Sequence, residues 1–391
     1  MITVVHLIPG LEIGGAEIML WKLLSRMDSG RFHNIVVCML DEGLIAERIR
    51  GLGIPVHNLG VQRNYASSVA GRSLARFLKS PIAIWRFVVL LRRIKPDIVQ
   101  TWLPPADLMG LLAAKLARVP NTVWSVHASN LDLKQYPRHY SWLRQAWARL
   151  SDKPQALIAV SEAARAFHTE IGFRAREWVV IPNGIDTDQF VPDASAYSSV
   201  REELGLERGV PLIGLIARFD PMKDHRGFLQ AAALLGQQCP EPHFLMAGRG
   251  VSCNNPALKE LIEIPTLRDR VHLLDQRTDI PRLTAALDIA TSSSSFGEGF
   301  GLVIAEAMAC AVPCVVTDIG TSAEIVGDTG RIVPPRDPPA LASAWHDLLE
   351  LGPNGRYELG TRARARVKEF YSLDRAVRQY EALYDRQAGT K

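Results

Sequence analysis

The 391-residue sequence has few cysteines and no long apolar run, and both scarcities limit what the protein can be. Its five cysteines are odd in number and scattered, so neither a disulfide framework nor a zinc cluster is expected. We interpret the one close pair, Cys310 and Cys314, as small buried apolar residues. No run approaches the ~18 apolar residues that are needed to cross a bilayer. Disulfide-rich, zinc-finger and membrane-spanning classes are therefore excluded.

The first residues, MITVVHLIPG, lack the basic head and cleavage site of a secretory signal peptide. We therefore expect a first strand here and a cytoplasmic protein. Charge is unevenly divided: residues 1–183 carry 23 Lys+Arg and 13 Asp+Glu (+10), and the remainder carries 22 and 28 (−6), which together give +4. The chain length favours two domains, and the opposite charges indicate that the domains have different partners. No nucleic-acid partner is expected.

Short apolar runs alternate with helix-forming stretches along the chain. Thr3–Ile8, Asn34–Leu40 and Leu212–Ala217 are typical of buried parallel strands, and Pro313–Asp318 is interpreted as the last strand. A helix is expected to begin at Ile18. The alternation predicts an α/β fold with two doubly wound domains. Helices are expected beyond the last strand over 338–350, 356–370 and 373–387.

The stretch Ser292–Ala309 (SSSSFGEGFGLVIAEAMA) places a glycine-rich loop before a predicted helix that covers Leu302–Ala309. Such a loop brings backbone close to a ligand, and the helix that follows presents free N–H groups. Glu298 in the loop and Glu306 in the helix suit recognition of sugar hydroxyls at two depths. On physical grounds alone the alternative is equally good: Glu306 faces solvent and Glu298 only favours the helix dipole.

Two further loops have the composition of anion-binding sites. Arg218 and Lys223 follow an apolar strand and can together neutralise a diphosphate. The alternative is a pair of solvated loop charges. Gly14-Gly15-Ala16-Glu17 follows the first strand and opens a helix, an arrangement that directs backbone N–H groups at an anion. The alternative is a tight turn between a strand and a helix.

Three features of the first half have less specific signals. Residues 72–95 form a basic amphipathic segment that is suited either to an anionic membrane surface or to the protein core with solvated arginines. Trp102 and His127 end two strands at the carboxyl edge of the predicted sheet, where open α/β sheets bind ligands. A single histidine of this kind is more often structural than catalytic.

Glu298-x7-Glu306 within EGFGLVIAEAMA resembles the donor-sugar signature of the retaining, nucleotide-sugar-dependent glycosyltransferases of family four, which have the GT-B fold. The Arg218-x4-Lys223 pair and the glycine loop at Gly14 are similar to the family's as well. The resemblance covers essentially the whole chain, most specifically residues 181–324. It implies two Rossmann-like domains that face each other across a cleft. The implied ranges are 1–183 for the acceptor-binding domain, 184–372 for the nucleotide-sugar-binding domain and 373–391 for a helix crossing back to the first domain.

The resemblance also implies residue roles. Arg218 and Lys223 would stabilise the departing diphosphate, Glu298 would hold the donor sugar, and His127 would lie close to that sugar, so these four are the expected catalytic residues. Glu17 and Trp102 are expected on the acceptor side. Before Arg277 the residues Leu274-Asp275-Gln276 depart from the family's pattern, which weakens the case for a contact between Arg277 and the nucleobase. The expected donor-binding residues are Gly14, Gly15, Arg277, Gly299, Phe300, Gly301, Leu302, Val303 and Glu306.

We therefore expect a retaining glycosyltransferase that moves a hexose or N-acetylhexosamine from a nucleotide sugar to a glycan or lipid-linked acceptor in cell-surface polysaccharide synthesis. A UDP-sugar is the preferred donor and GDP-mannose the second. The reaction is expected to need no cofactor and no metal, and the protein is expected at the inner face of the membrane. One alternative is a non-catalytic sugar-nucleotide-binding scaffold, which the intact motifs disfavour. The other is a GT-B nucleotide-sugar epimerase, which would leave residues 72–147 without a role.

Overall fold

The computed structural model describes residues 1–40, 42–61, 81–127 and 138–389. It divides into two compact units, one formed by Met1–Gly184 with Leu373–Lys391 and the other by Ile185–Ser372. Each unit contains its own parallel sheet with helices packed against it. This architecture confirms the predicted pair of Rossmann-like α/β domains.

The first unit contains a seven-stranded parallel sheet with the strand order β3-β2-β1-β4-β5-β6-β7. Its strands are β1 (Ile2–Ile8), β2 (Phe32–Cys38), β3 (Val56–Asn58), β4 (Ile98–Trp102), β5 (Asn121–Val126), β6 (Ala156–Ala159) and β7 (Trp178–Val180). The helices described between them are α1 (Gly15–Arg26), α2 (Leu44–Gly51), α3 (Pro81–Ile94), α4 (Pro104–Ala117), α5 (Arg138–Leu150) and α6 (Glu162–Glu170).

The second unit contains a six-stranded parallel sheet with the order β10-β9-β8-β11-β12-β13. Its strands are β8 (Leu212–Ile216), β9 (His243–Ala247), β10 (Val271–Leu273), β11 (Ile289–Ser292), β12 (Cys314–Thr317) and β13 (Gly330–Val333). Its helices are α7 (Ala194–Glu203), α8 (His225–Gln238), α9 (Pro256–Ile262), α10 (Ile280–Ala285), α11 (Leu302–Ala309), α12 (Ser322–Val326), α13 (Pro338–Glu350) and α14 (Gly352–Phe370). A single 3₁₀ turn, Pro221–Lys223, precedes α8.

The C-terminal helix α15 (Leu373–Ala388) belongs to the first unit. It packs against α1, β1 and β4, and buries Tyr380 and Tyr384 completely or nearly so. The Tyr384 hydroxyl donates a hydrogen bond of 2.5 Å to Oε1 of the buried Gln100 in β4. This helix therefore completes one face of the first sheet.

Strand β1 shows why its residues are apolar on both faces. Val4 and Ile8 join the core cluster that contains α1 and α15 residues, whereas Val5 and Leu7 join the cluster on the side of α3 and α4. Successive side chains of a strand point to opposite faces, and helices cover both faces of a doubly wound sheet. An apolar run without polar alternation is therefore the expected sequence of such a strand.

The structure differs from the sequence predictions most clearly at the end of the second sheet and at the start of α1, while β2 and α14 also begin earlier than predicted. Pro313–Asp318 corresponds to β12, but the prediction that it is the last strand is wrong, because β13 pairs alongside it at the sheet edge. The sequence of β13, Gly330–Val333, is short, begins with glycine and contains a charged residue, so it gives little strand signal. Helix α1 begins at Gly15 and not at Ile18, since Gly14 takes the N-cap position.

Candidate active site

The topology of the second sheet brings the two most specific motifs together. Strands β8 and β11 are neighbours at the point where the strand order reverses, and ligands of open α/β sheets bind outside the carboxyl ends of the strands at such a point. The Arg218–Lys223 segment follows β8, and the serine and glycine loop follows β11. Backbone and side-chain hydrogen bonds join them: Ser295 N donates to Met222 O (2.8 Å) and Ser293 Oγ donates to Lys223 O (2.7 Å).

Lys223 and Glu298 form an ion pair at this edge. Lys223 Nζ lies 2.5 Å from Glu298 Oε2, and Ser294 Oγ donates a hydrogen bond of 2.9 Å to the same oxygen. Both charged side chains are largely buried, with 17% and 11% of their surfaces exposed. Water screens such a pair only weakly, so each charge depends on its partner. The sequence predicted both residues as ligand contacts, and the structure places them in direct contact with each other.

Arg218 is more exposed and is held by Asp220. Its Nε and Nη2 atoms lie 3.1 and 3.0 Å from Asp220 Oδ2. The other oxygen, Oδ1, accepts a hydrogen bond of 2.9 Å from Met222 N and so caps the 3₁₀ turn. Sequence reasoning did not single out Asp220, although an Asp that directly precedes Pro221 is a recognisable cap signal.

The loop before α11 has the close backbone packing that its glycines suggested. Gly297 has φ +74°, and a Cβ atom there would lie 2.8 Å from Met222 Sδ, so this position favours glycine on both counts. Gly301 is the N-cap of α11, and Thr321 Oγ1 donates a hydrogen bond of 2.9 Å to Gly299 O. The ring of Phe300 is buried against Tyr371, with centroids 5.8 Å apart.

Helix α11 presents its N-terminus to this loop. Leu302 and Val303 form its first turn and are half-buried, and the backbone N–H groups of a first turn have no partner within the helix. Glu306 lies one turn further along and is the single charged residue of LVIAEAMA. It is half-buried, and its predicted contact with the donor stays a prediction.

Arg277 is placed differently from its predicted role. Its Nε and Nη2 atoms bind both oxygens of Asp279 (2.9 and 2.8 Å), and Nη1 binds Glu203 Oε1 in α7 (2.6 Å). The guanidinium holds the pKa of Asp279 down to about 2. Arg282 joins the same carboxylates. The side chain thus links α7 to the start of α10, and this placement argues against the predicted nucleobase contact.

In the first unit, His127 follows β5 and lies on Trp102. The two rings are stacked with centroids 5.3 Å apart, and His127 Nε2 is 3.2 Å from Ser125 Oγ. Burial lowers the pKa of His127 to about 4, so the ring is neutral at pH 7. Ser125 Oγ donates to Thr101 O at 2.9 Å. Because a hydroxyl has one proton and Thr101 O can only accept, we assign His127 Nε2 as the donor to Ser125, which leaves Nδ1 as an acceptor.

Trp102 is fully buried, so the prediction that it contacts an acceptor is wrong for this structure. Its Nε1 atom lies 3.3 Å from Nδ1 of the buried His6, and Tyr380 of α15 stacks on it with centroids 6.0 Å apart. His6 Nε2 is in turn 3.0 Å from Asn34 Oδ1. Trp102 therefore packs against the ring of His127 and is not itself accessible to a ligand.

The glycine loop after β1 includes a carboxylate. A Cβ atom on Gly14 would lie 2.3 Å from Glu17 Oε2, so the Glu17 side chain folds over the start of α1. Burial is the main cause of a raised pKa at Glu17. Gly15 beside it is exposed. A carboxylate here occupies the helix N-terminus at which the prediction placed a diphosphate oxygen.

The close cysteine pair is buried and free, as its sequence suggested. Burial raises the pKa of Cys310 to about 12, so this residue is a neutral thiol and not a reactive thiolate. Within residues 1–40, 42–61, 81–127 and 138–389, no group of three or more His, Cys, Asp or Glu side chains is arranged to hold a metal ion.

Two family profiles match this chain. The profile described as glycosyl transferases group 1 matches residues 210–351, and the profile described as glycosyltransferase family 4 matches residues 13–189. Together they leave out residues 1–12, 190–209 and 352–391. Each profile falls within one of the two units, apart from the five residues 185–189.

Characterised relatives are similar over part of their length. The chain is 30% identical over 253 residues to the UDP-Gal:alpha-D-GlcNAc-diphosphoundecaprenol alpha-1,3-galactosyltransferase of Escherichia coli, which covers 63% of both proteins. The chain thus spans just under two thirds of that relative. It is 29% identical over 255 residues to the lipopolysaccharide core biosynthesis mannosyltransferase LpsB of Rhizobium meliloti, covering 63% of this chain and 69% of that protein.

Solved structures share the fold over nearly the whole chain. HepE of Anabaena in complex with UDP superposes with a TM-score of 0.83 at 23% identity, covering 98% of this chain and 100% of HepE. Sucrose-phosphate synthase of Thermosynechococcus elongatus superposes with a TM-score of 0.81 at 18% identity, covering 100% of both chains. With both family profiles and the two-domain fold in agreement, the chain belongs to the group 1 glycosyltransferases of family 4, which have the GT-B fold.

Proposed function

We propose that this protein is a retaining glycosyltransferase that moves a sugar from a nucleotide-sugar donor to a bacterial glycan or glycolipid. The observation that carries the proposal is the Lys223–Glu298 ion pair at the carboxyl edge between β8 and β11, next to the N-terminus of α11 and on the loop that also carries Arg218. Cations and the positive end of a helix dipole suit a diphosphate, and carboxylates suit sugar hydroxyls.

The proposed donor is a UDP-sugar that carries a hexose or N-acetylhexosamine. HepE was solved with UDP, and the Escherichia coli relative is named for UDP-Gal, which supports uridine. The Rhizobium relative is a mannosyltransferase, and GDP-mannose is the second candidate. Arg218 and Lys223 provide two positive charges where a diphosphate needs neutralisation, so we propose that the reaction needs no metal.

In the proposed reaction an acceptor hydroxyl attacks the anomeric carbon on the face from which the diphosphate departs. The bond between the anomeric carbon and the phosphate oxygen breaks, the new glycosidic bond forms, and the hydroxyl proton passes to the departing phosphate oxygen. Arg218 and Lys223 stabilise the charge that develops on the diphosphate. Glu298 holds hydroxyls of the donor sugar and Glu306 those of the ribose, and His127 Nδ1 accepts a hydrogen bond from a substrate hydroxyl. The anomeric configuration is retained.

The outer face of α3 supports a membrane contact for the first unit. Ile82, Trp85 and Val89 recur at helical spacing and are exposed by 63%, 65% and 44%. Arg92 on one side and Arg86 with Arg93 on the other flank this stripe, since the residues of a helix advance by 100° each. We call these three apolar residues the α3 stripe. An exposed apolar stripe between arginines is the pattern of a helix that lies in a membrane interface.

The neighbouring helix α4 extends this surface. Leu112 and Leu116 are exposed one turn apart, and Arg92 Nη2 of α3 donates a hydrogen bond of 3.1 Å to Leu116 O. Lys115 and Arg118 add positive charge. The acidic residues of 81–127 are engaged elsewhere: Asp107 is fully buried and Asp97 accepts a hydrogen bond from Thr3 N.

We propose that the α3 stripe and the α4 leucines rest on an anionic membrane, where a lipid-linked acceptor would be reached. Residues 72–80 of the predicted basic segment lie outside the described residues, so the proposal depends on α3 and α4. No helix among the described residues is long and apolar enough to cross a membrane. The proposed location is peripheral, at the inner face of the membrane.

Donor binding can be tested by isothermal titration with UDP, UDP-glucose, GDP and GDP-mannose, each with and without EDTA. We expect one nucleotide and its sugar to bind, with the same affinity in EDTA. Arg218→Ala should lose binding because the diphosphate loses a bidentate partner. Asp328→Asn, which affects an exposed pair with Arg362 elsewhere in the second unit, is the matched control. Absence of binding by all four nucleotides would favour a non-catalytic scaffold.

Membrane binding can be tested by sedimentation with vesicles of neutral phosphatidylcholine, with or without phosphatidylglycerol. We expect binding that needs the anionic lipid, weakens with salt and is lost in the double variant Trp85→Ser, Val89→Ser. Tyr357→Ser removes an equally exposed aromatic ring from the second unit and should bind as the wild type does. Equal sedimentation of both variants would contradict the membrane proposal.

A further inference from the structure

Both cations of the candidate diphosphate site already have carboxylate partners from the protein. Arg218 is bound by Asp220 and Lys223 is bound by Glu298, at 3.0 and 2.5 Å. Two positive charges are thus matched by two negative charges, the same number that a diphosphate diester would bring. A phosphate oxygen that binds either cation must compete with a side chain that is already in place.

The two ion pairs, Arg218–Asp220 and Lys223–Glu298, differ in the free energy that is needed to separate them. Asp220 is partly exposed, and its Oδ1 atom keeps the hydrogen bond from Met222 N when Oδ2 leaves Arg218. Glu298 is buried, so its carboxylate needs strong hydrogen-bond donors when Lys223 turns to a phosphate. The Ser294 hydroxyl is one such donor and already binds Oε2. The hydroxyls of a bound sugar can supply further donors.

We propose that Asp220 and Glu298 are built-in competitors of the diphosphate, and that Glu298 thereby makes the site discriminate between a nucleotide sugar and the free nucleoside diphosphate. The hydroxyls of a bound sugar donate hydrogen bonds to Glu298 as it leaves Lys223. A nucleoside diphosphate has no such hydroxyls at this position. Glu298 therefore pairs with Lys223 again, and the nucleoside diphosphate is displaced. The exchange favours entry of the donor and release of the product.

This inference rests on the proposed function and assigns Asp220 a role that the motifs do not indicate. It predicts an unusual result, because removing the charge of a residue in the binding site should increase the affinity for one ligand, the nucleoside diphosphate. Glu298→Gln removes the charge that competes for Lys223 but keeps the shape of the side chain. Asp220→Asn does the same for Arg218 and keeps an oxygen that can cap Met222 N.

The test is a titration of the wild type, Glu298→Gln, Asp220→Asn and the control Asp328→Asn with UDP, UDP-glucose, GDP and GDP-mannose. We expect Glu298→Gln to bind the preferred nucleoside diphosphate roughly three- to thirtyfold more tightly than the wild type, because the competing state is removed. The ratio of its affinities for nucleotide sugar and nucleoside diphosphate should fall. Asp220→Asn should show a smaller gain, and Asp328→Asn none.

The possible failures are distinguishable. If the wild type binds a nucleotide but Glu298→Gln and Asp220→Asn, both with wild-type melting temperatures, bind the nucleoside diphosphate no more tightly, the competition is overturned and the proposed function stands. If Glu298→Gln is unfolded, Asp220→Asn decides the same question at Arg218. If the wild type binds none of the four nucleotides, the proposed function fails and the competition fails with it.

Discussion

Ser125 has one hydroxyl proton, and the destination of that proton decides which nitrogen of His127 can bind a ligand. Thr101 O can only accept the hydrogen bond that it shares with Ser125 Oγ, so we expect Ser125 to accept from His127 Nε2 and the neutral ring to keep Nδ1 unprotonated. Trp102 fixes the plane of the ring by stacking. A histidine in this state accepts a hydrogen bond from a hydroxyl and does not donate one from Nδ1.

At the same scale we predict that Ser125→Ala changes the tautomer of His127. In the wild type, nitrogen-15 NMR at pH 7 should show a protonated Nε2 and an unprotonated Nδ1. In the variant the acceptor for Nε2–H is gone, so the two tautomers should become mixed. Ser25→Ala, which removes a hydroxyl that bonds to a helix carbonyl in α1, is the control and should leave the signals unchanged. An unaltered His127 spectrum in Ser125→Ala would contradict the assignment.

Single side chains were the part of the site that the sequence predicted least well. Trp102 ends a strand, and the local sequence does not show whether an aromatic residue at a strand end faces a ligand or the core. Tyr380, which is distant in sequence, covers it and decides the outcome. Arg277 likewise depends on Glu203 in α7. Lys223 and Glu298 were each predicted as site residues because both belong to motifs that follow strands, but their direct ion pair was not predicted.

At the scale of elements, the position of α11 depends on a close contact with α14. Gly360 of α14 approaches the backbone just beyond α11, where a Cβ atom would lie 1.8 Å from Ala311 O. Backbone cannot move aside as a flexible side chain can, so only glycine fits between these segments. Since α11 carries Gly301 at its N-cap and Glu306 in its second turn, this contact also sets the geometry of the candidate site.

We predict that Gly360→Ala destabilises the second unit by roughly 3 kcal/mol, because the added methyl group forces the two segments apart. Urea unfolding should show the loss, and nucleotide affinity should fall as α11 moves. Gly51→Ala is the matched control, since a Cβ atom at that helical glycine meets nothing within 4 Å. It should be neutral or slightly stabilising, by less than about 1 kcal/mol. Equal stability of both variants would exclude the proposed tight contact.

Elements with strong local signals were located well from sequence. The predicted bounds of α11 and α13 agree with the structure, because a glycine precedes the first and a proline begins the second. The edge strand β13 was missed, since it has one neighbour and little apolar sequence. Its place becomes evident only when β12 offers a pairing edge, which is a tertiary feature and not a property of the segment.

At the scale of the whole molecule, the alternation of strands and helices was enough to predict two doubly wound domains. Parallel strands need crossover connections, and right-handed crossovers allow few strand orders, so the pattern limits the topology strongly. The division at Gly184 and the return of α15 to the first unit are set by packing. They could be expected only through the family resemblance.

Buried histidines give the first unit a dependence on pH that involves the whole domain. His6 and His168 are buried, and burial lowers the pKa of each to about 4, whereas an unfolded histidine titrates near its ordinary value of 6.5. Between pH 6.5 and pH 4 the unfolded chain therefore binds protons that the folded chain does not. The free energy of unfolding is unaffected by these groups above pH 6.5 and falls as the pH drops toward 4.

Each such histidine should lower the free energy of unfolding by about 2 kcal/mol between pH 7 and pH 5. His168→Gln removes one of them, in a position where the ring packs against Trp147 and Phe173. The variant is expected to be less stable than the wild type at pH 7, because this packing is lost. Its own decrease between pH 7 and pH 5 should nevertheless be smaller by about 2 kcal/mol, since one proton fewer is bound on unfolding. Urea unfolding at both pH values, followed by tryptophan fluorescence, measures the two decreases. If the wild type and His168→Gln lose the same amount, His168 is not held neutral in the fold, because a group with equal proton affinity in both states contributes nothing to the slope.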